Sequence, residues 1–266
     1  MNSGGTWWRA ALAGYCLLVI GFLVVPLAII LPLSFSSADF LQFPPPGLSL
    51  KWYDAFFGSR AWLAAASISI RVAAVTTVLA LLVGTPAAFF LARVRERRLA
   101  WLIDKLLVAP IIIPGMVTAI SVYSFLAGFR MVGSFQALVI GHLILALPFV
   151  VIVMTAALRQ FDRSLEDAAV GLGASRLRAV LLVTLPLTRP SLLTAAFFAF
   201  MASFDDLVIA MFLSGSNATL PKKTFENIGY ALDPTVAVVS SLQITLLAVA
   251  FAAWYVLVGR KSSSSF

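Results

Sequence analysis

An all-helical integral membrane fold follows from three features of this sequence. Of its 266 residues 61% are hydrophobic and 11% charged, and the mean hydropathy of +1.02 is too high for a chain whose solvent is water. The apolar residues gather into six runs, each long enough for the roughly 20 residues a helix needs to cross the hydrocarbon core. Backbone polar groups have no partner in lipid, so such runs become helices.

The predicted spans cover 10–33, 62–92, 106–128, 135–157, 190–213 and 236–258. The first run, Ala10 to Leu33, is longer than the 7 to 15 apolar residues of a signal-peptide core and is followed by no convincing small-x-small site, so it is read as a retained span. Cys16 lies inside it as the sole cysteine, which leaves neither a disulfide framework nor a cysteine metal site within the chain. Ser34 to Ala61 contains Pro44-Pro45-Pro46 and several aromatics, a composition suited to a partly extended segment that touches a partner or caps the bundle. Residues 1–61 thus form the first span and an outer segment, 62–260 the membrane core, and 261–266 a low-complexity tail expected to be disordered.

The cluster Arg93 to Arg98 closes the second span, and Leu99 to Lys105 reads as an interfacial elbow before the third. Pro110, Pro114-Gly115 and Pro148 interrupt spans three and four; kinked helices of this kind face protein or a water-filled path. Tyr123 and His142 are isolated polar groups in those spans, Tyr123 a candidate on a solute path and His142 either a packing residue or a ligand.

Orientation comes from the basic residues. With the N-terminus inside, thirteen of the nineteen Lys and Arg fall on the cytoplasmic side and six on the other, which favours both termini inside. The net charge of +8 is therefore topological: the basic residues cluster at span ends and form no nucleic-acid surface.

Between spans four and five lies a polar stretch, 158–189, that does not belong in a bilayer. Ser164 and Asp167 form an S-x-x-D capping box, which predicts a short helix carrying Glu166, Asp167, Ala168 and Ala169. Gly171 and Gly173 end it, Ser175 caps a second short helix, and Leu185-Pro186 steers the chain towards span five. This helix-turn-helix knob, with small residues for close approach and five arginines, is either a docking element or an ordinary basic loop.

In span five, Asp205 and Asp206 sit near the middle of the run. Two central carboxylates ask for roughly 5 to 7 kcal/mol of compensation on insertion scales. Adjacent helix positions differ by about 100°, so the two carboxylates do not share one narrow face, although both can edge onto a wide interior surface. A cation site or gate on a translocation path supplies that compensation, as does pairing with Arg71, His142, hydroxyls or a second subunit.

The knob resembles the EAA loop of permease subunits of binding-protein-dependent ABC importers, whose pattern is E-A-A, three residues, Gly, nine residues, I-x-L-P. Asp167-Ala168-Ala169, Gly173 and Val183-Thr184-Leu185-Pro186 stand at those offsets, with Asp for Glu and Val for Ile, and the similarity runs from about Leu63 to Gly259. Phe204 to Ser240 resembles the spermidine/putrescine-type branch. The resemblance implies a multi-pass subunit of a bacterial inner membrane with a cytoplasmic knob, in which Glu166, Asp167, Ala168, Ala169, Gly173, Leu185 and Pro186 couple to an ATPase. It implies as partners two ATPase subunits, which bind the ATP and Mg, a second homologous permease and an extracytoplasmic solute-binding protein. The solute would be a polyamine or related cation, and this chain would hold no cofactor.

No G-x-x-x-x-G-K-[ST] phosphate loop occurs in the chain, and no nucleophile, metal or paired-acid set stands outside the spans, so an enzyme is not expected. The competing reading is a stand-alone secondary transporter or channel that uses Asp205 and Asp206 to move cations. Against it, the sequence has no repeated half with matching broken segments.

Overall fold

A computed structural model describes residues 6–94, 96–230 and 233–262. Arg95 of the basic cluster and residues 263–266 of the expected tail lie outside the described residues. The chain divides into two compact units, one holding the chain up to Leu63 with Thr224–Phe251, the other holding Ala64–Lys223 with the chain from Ala252 onward.

In the first unit, α1 (Thr6–Ser34) carries an almost wholly exposed apolar surface, as a lipid-facing helix does. The segment after it is not simply extended. It contains α2 (Lys51–Gly58), whose Phe56 is buried, and a single antiparallel bridge between Ser36 and Leu48. The Tyr53 hydroxyl lies 2.9 Å from Ser34 Oγ and 3.0 Å from Ser241 Oγ, which ties α2 to the end of α1 and to α13 (Thr235–Ser262). The last helix runs two residues into the stretch expected to be a disordered tail.

The second unit is built on α6 (Phe135–Gln160), the most deeply buried of the apolar helices. Its Pro148 is buried, as a proline that frees a carbonyl in lipid requires. Ala146, Val150 and Met154 pack with Ala80 and Ala88 of α3 (Arg60–Arg93) and with Ala195 and Ala199 of α10 (Arg189–Phe204). Small residues on all three helices let the backbones come close, the usual basis of helix association in lipid.

The third span differs from its prediction. It is not one helix over 106–128: α4 (Arg97–Ile112) and α5 (Gly115–Gly128) meet at a bend of 104°. Ile113, forced out of the helical region by the proline after it, is extended at ψ 132°, and Pro114 opens α5. The expected elbow Leu99–Lys105 is accordingly part of α4. Four helices are long and apolar enough to cross a membrane, and two bent pairs raise the number to as many as six among the described residues. Between the fifth and sixth runs lies α12 (Leu220–Tyr230), whose Leu220 N–H donates to Ser69 Oγ of α3 at 2.7 Å.

Candidate functional site

The knob folds as a helical hairpin. Its first helix, α7 (Ser164–Gly171), begins differently from the expected capping box: the Ser164 side chain caps nothing, and Asp162 Oδ1 accepts the Ser164 N–H at 3.0 Å. That bond holds the Asp162 carboxyl below its ordinary value. The helix ends at a Schellman turn. The Gly173 N–H donates to the Val170 carbonyl at 2.9 Å and the Ala174 N–H to that of Ala169 at 3.1 Å, with Gly173 at φ +94°. No atom lies within 4 Å of where a Gly173 Cβ would stand, so backbone conformation, not crowding, calls for glycine here.

Ser175 caps the second helix as predicted, its Oγ accepting the Arg178 N–H at 3.3 Å. That helix is longer than expected. From α8 (Arg176–Ala179) it continues through a π turn (Val180–Thr184) into α9 (Leu185–Leu187). A bend of 74° then leads into α10, where the Thr188 hydroxyl donates back to the Thr184 carbonyl at 2.8 Å and Pro190 supplies no N–H.

The residues singled out in the knob separate into two groups. Asp167, Ala168, Gly173 and Pro186 are exposed and Ala169 and Leu185 half-buried, beside a 91% exposed Leu172. Glu166 turns inward. Its Oε1 accepts from Arg93 Nη1 at 2.9 Å, and its Oε2 accepts from Arg93 Nη2 at 2.6 Å and from Thr184 Oγ1 at 3.0 Å. Burial alone would raise this carboxyl, but the hydrogen bonds from Arg93 and Thr184 and the charges of Arg93 and Arg163 outweigh it and hold it below the usual range. Arg93, 73 positions away, was not a predicted partner; the sequence signal was only that it sits in the last turn of a span.

The fifth span is interrupted at the acidic pair. α10 stops at Phe204 and α11 (Val208–Leu213) restarts the helix, so the two carboxylates are not adjacent positions of one continuous helix. Asp205 is exposed in the break. Asp206 is engaged internally: its Oδ2 accepts the N–H of Ile209 at 2.8 Å and of Ala210 at 3.3 Å, so it caps α11. The missed signal was an Asp directly before the short apolar run 207–213.

His142 lies beneath the break, 1% exposed, with Nδ1 at 2.9 Å from both the carbonyl and the hydroxyl of Ser203. Its Nε2 faces Asp206 Oδ2 at 3.8 Å, beyond hydrogen-bond distance, so His142 is the expected partner that lies beside Asp206. Arg71 is not one of those contacts; its Nε donates to the Ser67 carbonyl at 3.2 Å. At Gly141 an added Cβ would lie 2.5 Å from Leu213 and 2.6 Å from Ile209, so glycine lets α11 settle onto α6. Tyr123 of α5 meets Phe212 of α11 edge-on, ring centroids 6.4 Å apart, which puts it against the short helix that Asp206 caps.

Residues 84–264 match the family model for the binding-protein-dependent transport system inner membrane component. The putrescine transport system permease protein PotI of Escherichia coli (strain K12) is 30% identical over 258 residues, 94% of this chain and 90% of its own. The spermidine/putrescine transport system permease protein PotC of the same organism is 30% identical over 241 residues, 90% of each chain. The sulfoquinovosyl glycerol transport system permease protein SmoH of Agrobacterium fabrum is 29% identical over 155 residues, 58% of this chain and 54% of its own. Among solved structures, a bacterial ABC transporter involved in the import of the acidic polysaccharide alginate superposes with a TM-score of 0.71 at 18% identity, covering 98% of both chains. The MetNI methionine ABC transporter gives 0.62 at 18% identity over 74% of this chain and 94% of its own. With a family model across more than half of its length and two permeases similar over nine-tenths of theirs, the chain belongs to the inner membrane components of binding-protein-dependent transport systems, as a permease subunit of an ABC importer and not an enzyme.

Proposed function

We propose that this chain forms half of the translocation path of an ATP-driven importer for putrescine or a related polyamine. The observation that carries the solute class is the 30% identity to two polyamine permeases over nine-tenths or more of this chain, against the partial match to the sulfoquinovosyl glycerol permease. The broken fifth span supports it. A helix interrupted at membrane depth frees backbone groups and admits a polar side chain where a path exists to use it. Asp205 is the exposed carboxylate at that break and meets the solute's ammonium groups; Asp206 fixes the geometry of the break; Tyr123 contributes an aromatic face to a passing cation.

The knob lies on the cytoplasmic side and docks on the ATPase through Asp167, Ala168, Ala169, Gly173, Leu185 and Pro186, while Glu166 braces it from within. Two ATPase subunits bind and hydrolyse ATP with Mg, a second permease completes the path, and a solute-binding protein delivers the polyamine from outside. Both termini of this chain are cytoplasmic.

The test is uptake of labelled putrescine by cells carrying the whole system, with wild type compared with Asp205→Asn. Removing one charge at near-constant volume lowers uptake while the amount of assembled complex is unchanged. Equal uptake by the two, or uptake of neutral solutes in preference to putrescine, contradicts the proposal.

A further inference from the structure

We infer that Arg93, Glu166 and Thr184 form the linkage that carries movement of the knob into the second span, α3. The inference rests on the reading of the knob as the ATPase docking element and adds the route by which its movement travels.

Covalently the knob is continuous only with α6 before it and α10 after it. Any push delivered to α3 must therefore cross space, and the structure provides a direct connection through the side chains of Arg93, Glu166 and Thr184. Glu166 sits in the first turn of α7 and is 8% exposed. Both of its oxygens are held by the two terminal nitrogens of Arg93, at 2.9 and 2.6 Å, and Arg93 is the last residue of α3. A two-pronged pair fixes direction as well as distance, which a single contact does not.

Three further contacts lock the ends of this strut. The Arg93 guanidinium lies 4.9 Å from the Phe89 ring one turn back, so it follows α3 and does not swing freely. The Arg163 guanidinium donates to the Ala92 carbonyl, one of the carbonyls left without a helical partner at the end of α3. On the knob side, Thr184, fully buried at the end of the π turn, donates to Glu166 Oε2 at 3.0 Å. A π turn widens the helix locally and often marks a functional position; here its last residue brings the second helix of the hairpin onto the same carboxylate as the first.

The apolar surfaces beside the strut do not close on each other. Between the end of α3 and the second knob helix lies an open cleft of about 670 Å³ lined by Phe89, Phe90, Leu177, Leu181 and Leu185. The polar triad stands at the side of that cleft, with Arg93 on its lining, so both knob helices and α3 move together while it is intact.

The test uses the complete transporter in liposomes, this chain with its partner permease, ATPase and solute-binding protein, with putrescine uptake and ATP hydrolysis measured in the same preparation. Arg93→Met and Thr184→Val lower the putrescine taken up per ATP hydrolysed several-fold. Arg93→Met leaves Glu166 buried without its partner, so the double variant Arg93→Met/Glu166→Gln is included: it restores the yield of assembled complex and leaves the ratio low. A merely structural pair gives a wild-type ratio in the double variant, which overturns the linkage.

A second readout does not depend on the solute. Spin labels at Val83 of α3 and Leu182 of the knob, both exposed, keep one distance with and without ATP in the wild type, and the distribution broadens on ATP addition in the double variant. A distribution that stays as narrow as in the wild type overturns the linkage. Failure of the docking reading looks different: Asp167→Lys on the exposed face of the knob then assembles with the ATPase and takes up putrescine as the wild type does.

Discussion

Asp206 accepts the backbone N–H of Ile209 at 2.8 Å and lies 3.8 Å from His142 Nε2, so the second carboxylate of the acidic pair is part of the scaffold of the break in span five. The first, Asp205, is exposed there. One dipeptide thus divides into a group that holds the geometry and a group presented to whatever passes.

Asp206→Ala removes the cap of α11 and costs about 1 kcal/mol, whereas Asp206→Asn keeps an oxygen that accepts the same N–H. The Ala variant should therefore give a lower thermal midpoint and less assembled complex than the Asn variant. Equal midpoints for the two in detergent would remove Asp206 from the scaffold.

Gly141→Ala places a methyl group 2.5 Å from Leu213 and 2.6 Å from Ile209, contacts that two buried side chains of α11 relieve only by shifting. Overpacking of this kind costs roughly 1–3 kcal/mol. Thermal unfolding of the purified chain should show the loss, and an unchanged midpoint would mean that α11 is not seated on α6 as described.

At Gly173 the strain is in the backbone. Valine at φ +94° costs roughly 1–2 kcal/mol at the turn between the knob helices, and asparagine, which tolerates positive φ, costs less. Uptake per assembled complex should fall for Gly173→Val more than for Gly173→Asn, and Asp167→Lys on the exposed face should lower it as well. Wild-type uptake in all three would dissociate the knob from coupling.

The Glu166 carboxyl is held below its ordinary value of 4.5. A depressed folded-state value means that its contribution is fully present above the ordinary value and is lost as pH falls through the lowered one. Limited proteolysis of the knob in detergent should therefore be insensitive to pH from neutrality to about 5 and accelerate below the ordinary range. Glu166→Gln should flatten that response; an identical acid response in the variant would assign it to other groups.

Much of the fold was legible because hydrocarbon imposes a simple rule: runs long enough to cross it become helices, and α1, α3, α6 and α13 follow the predicted spans closely. The knob was legible from glycine and serine chemistry at Gly173 and Ser175. Hydropathy did not report where a run breaks. The 104° bend at Ile113–Pro114 depends on how α4 and α5 pack, and a proline alone allows either a kink or a break. Hydropathy makes span five look continuous because it counts Asp205 and Asp206 only as costs inside a helix, whereas Asp206 is the cap that restarts one. The pairing of Glu166 with Arg93 was invisible for a different reason: it joins residues 73 apart, and local patterning carries no information at that range.

The most direct test of the account is uptake of labelled putrescine into liposomes holding the purified transporter, with no ion gradient across the membrane. Uptake should require both ATP on the side of the knob and the solute-binding protein on the other, and should stop when either is withheld. Putrescine entry driven by an ion gradient alone, without ATP, would contradict it, because a stand-alone secondary transporter or channel behaves that way.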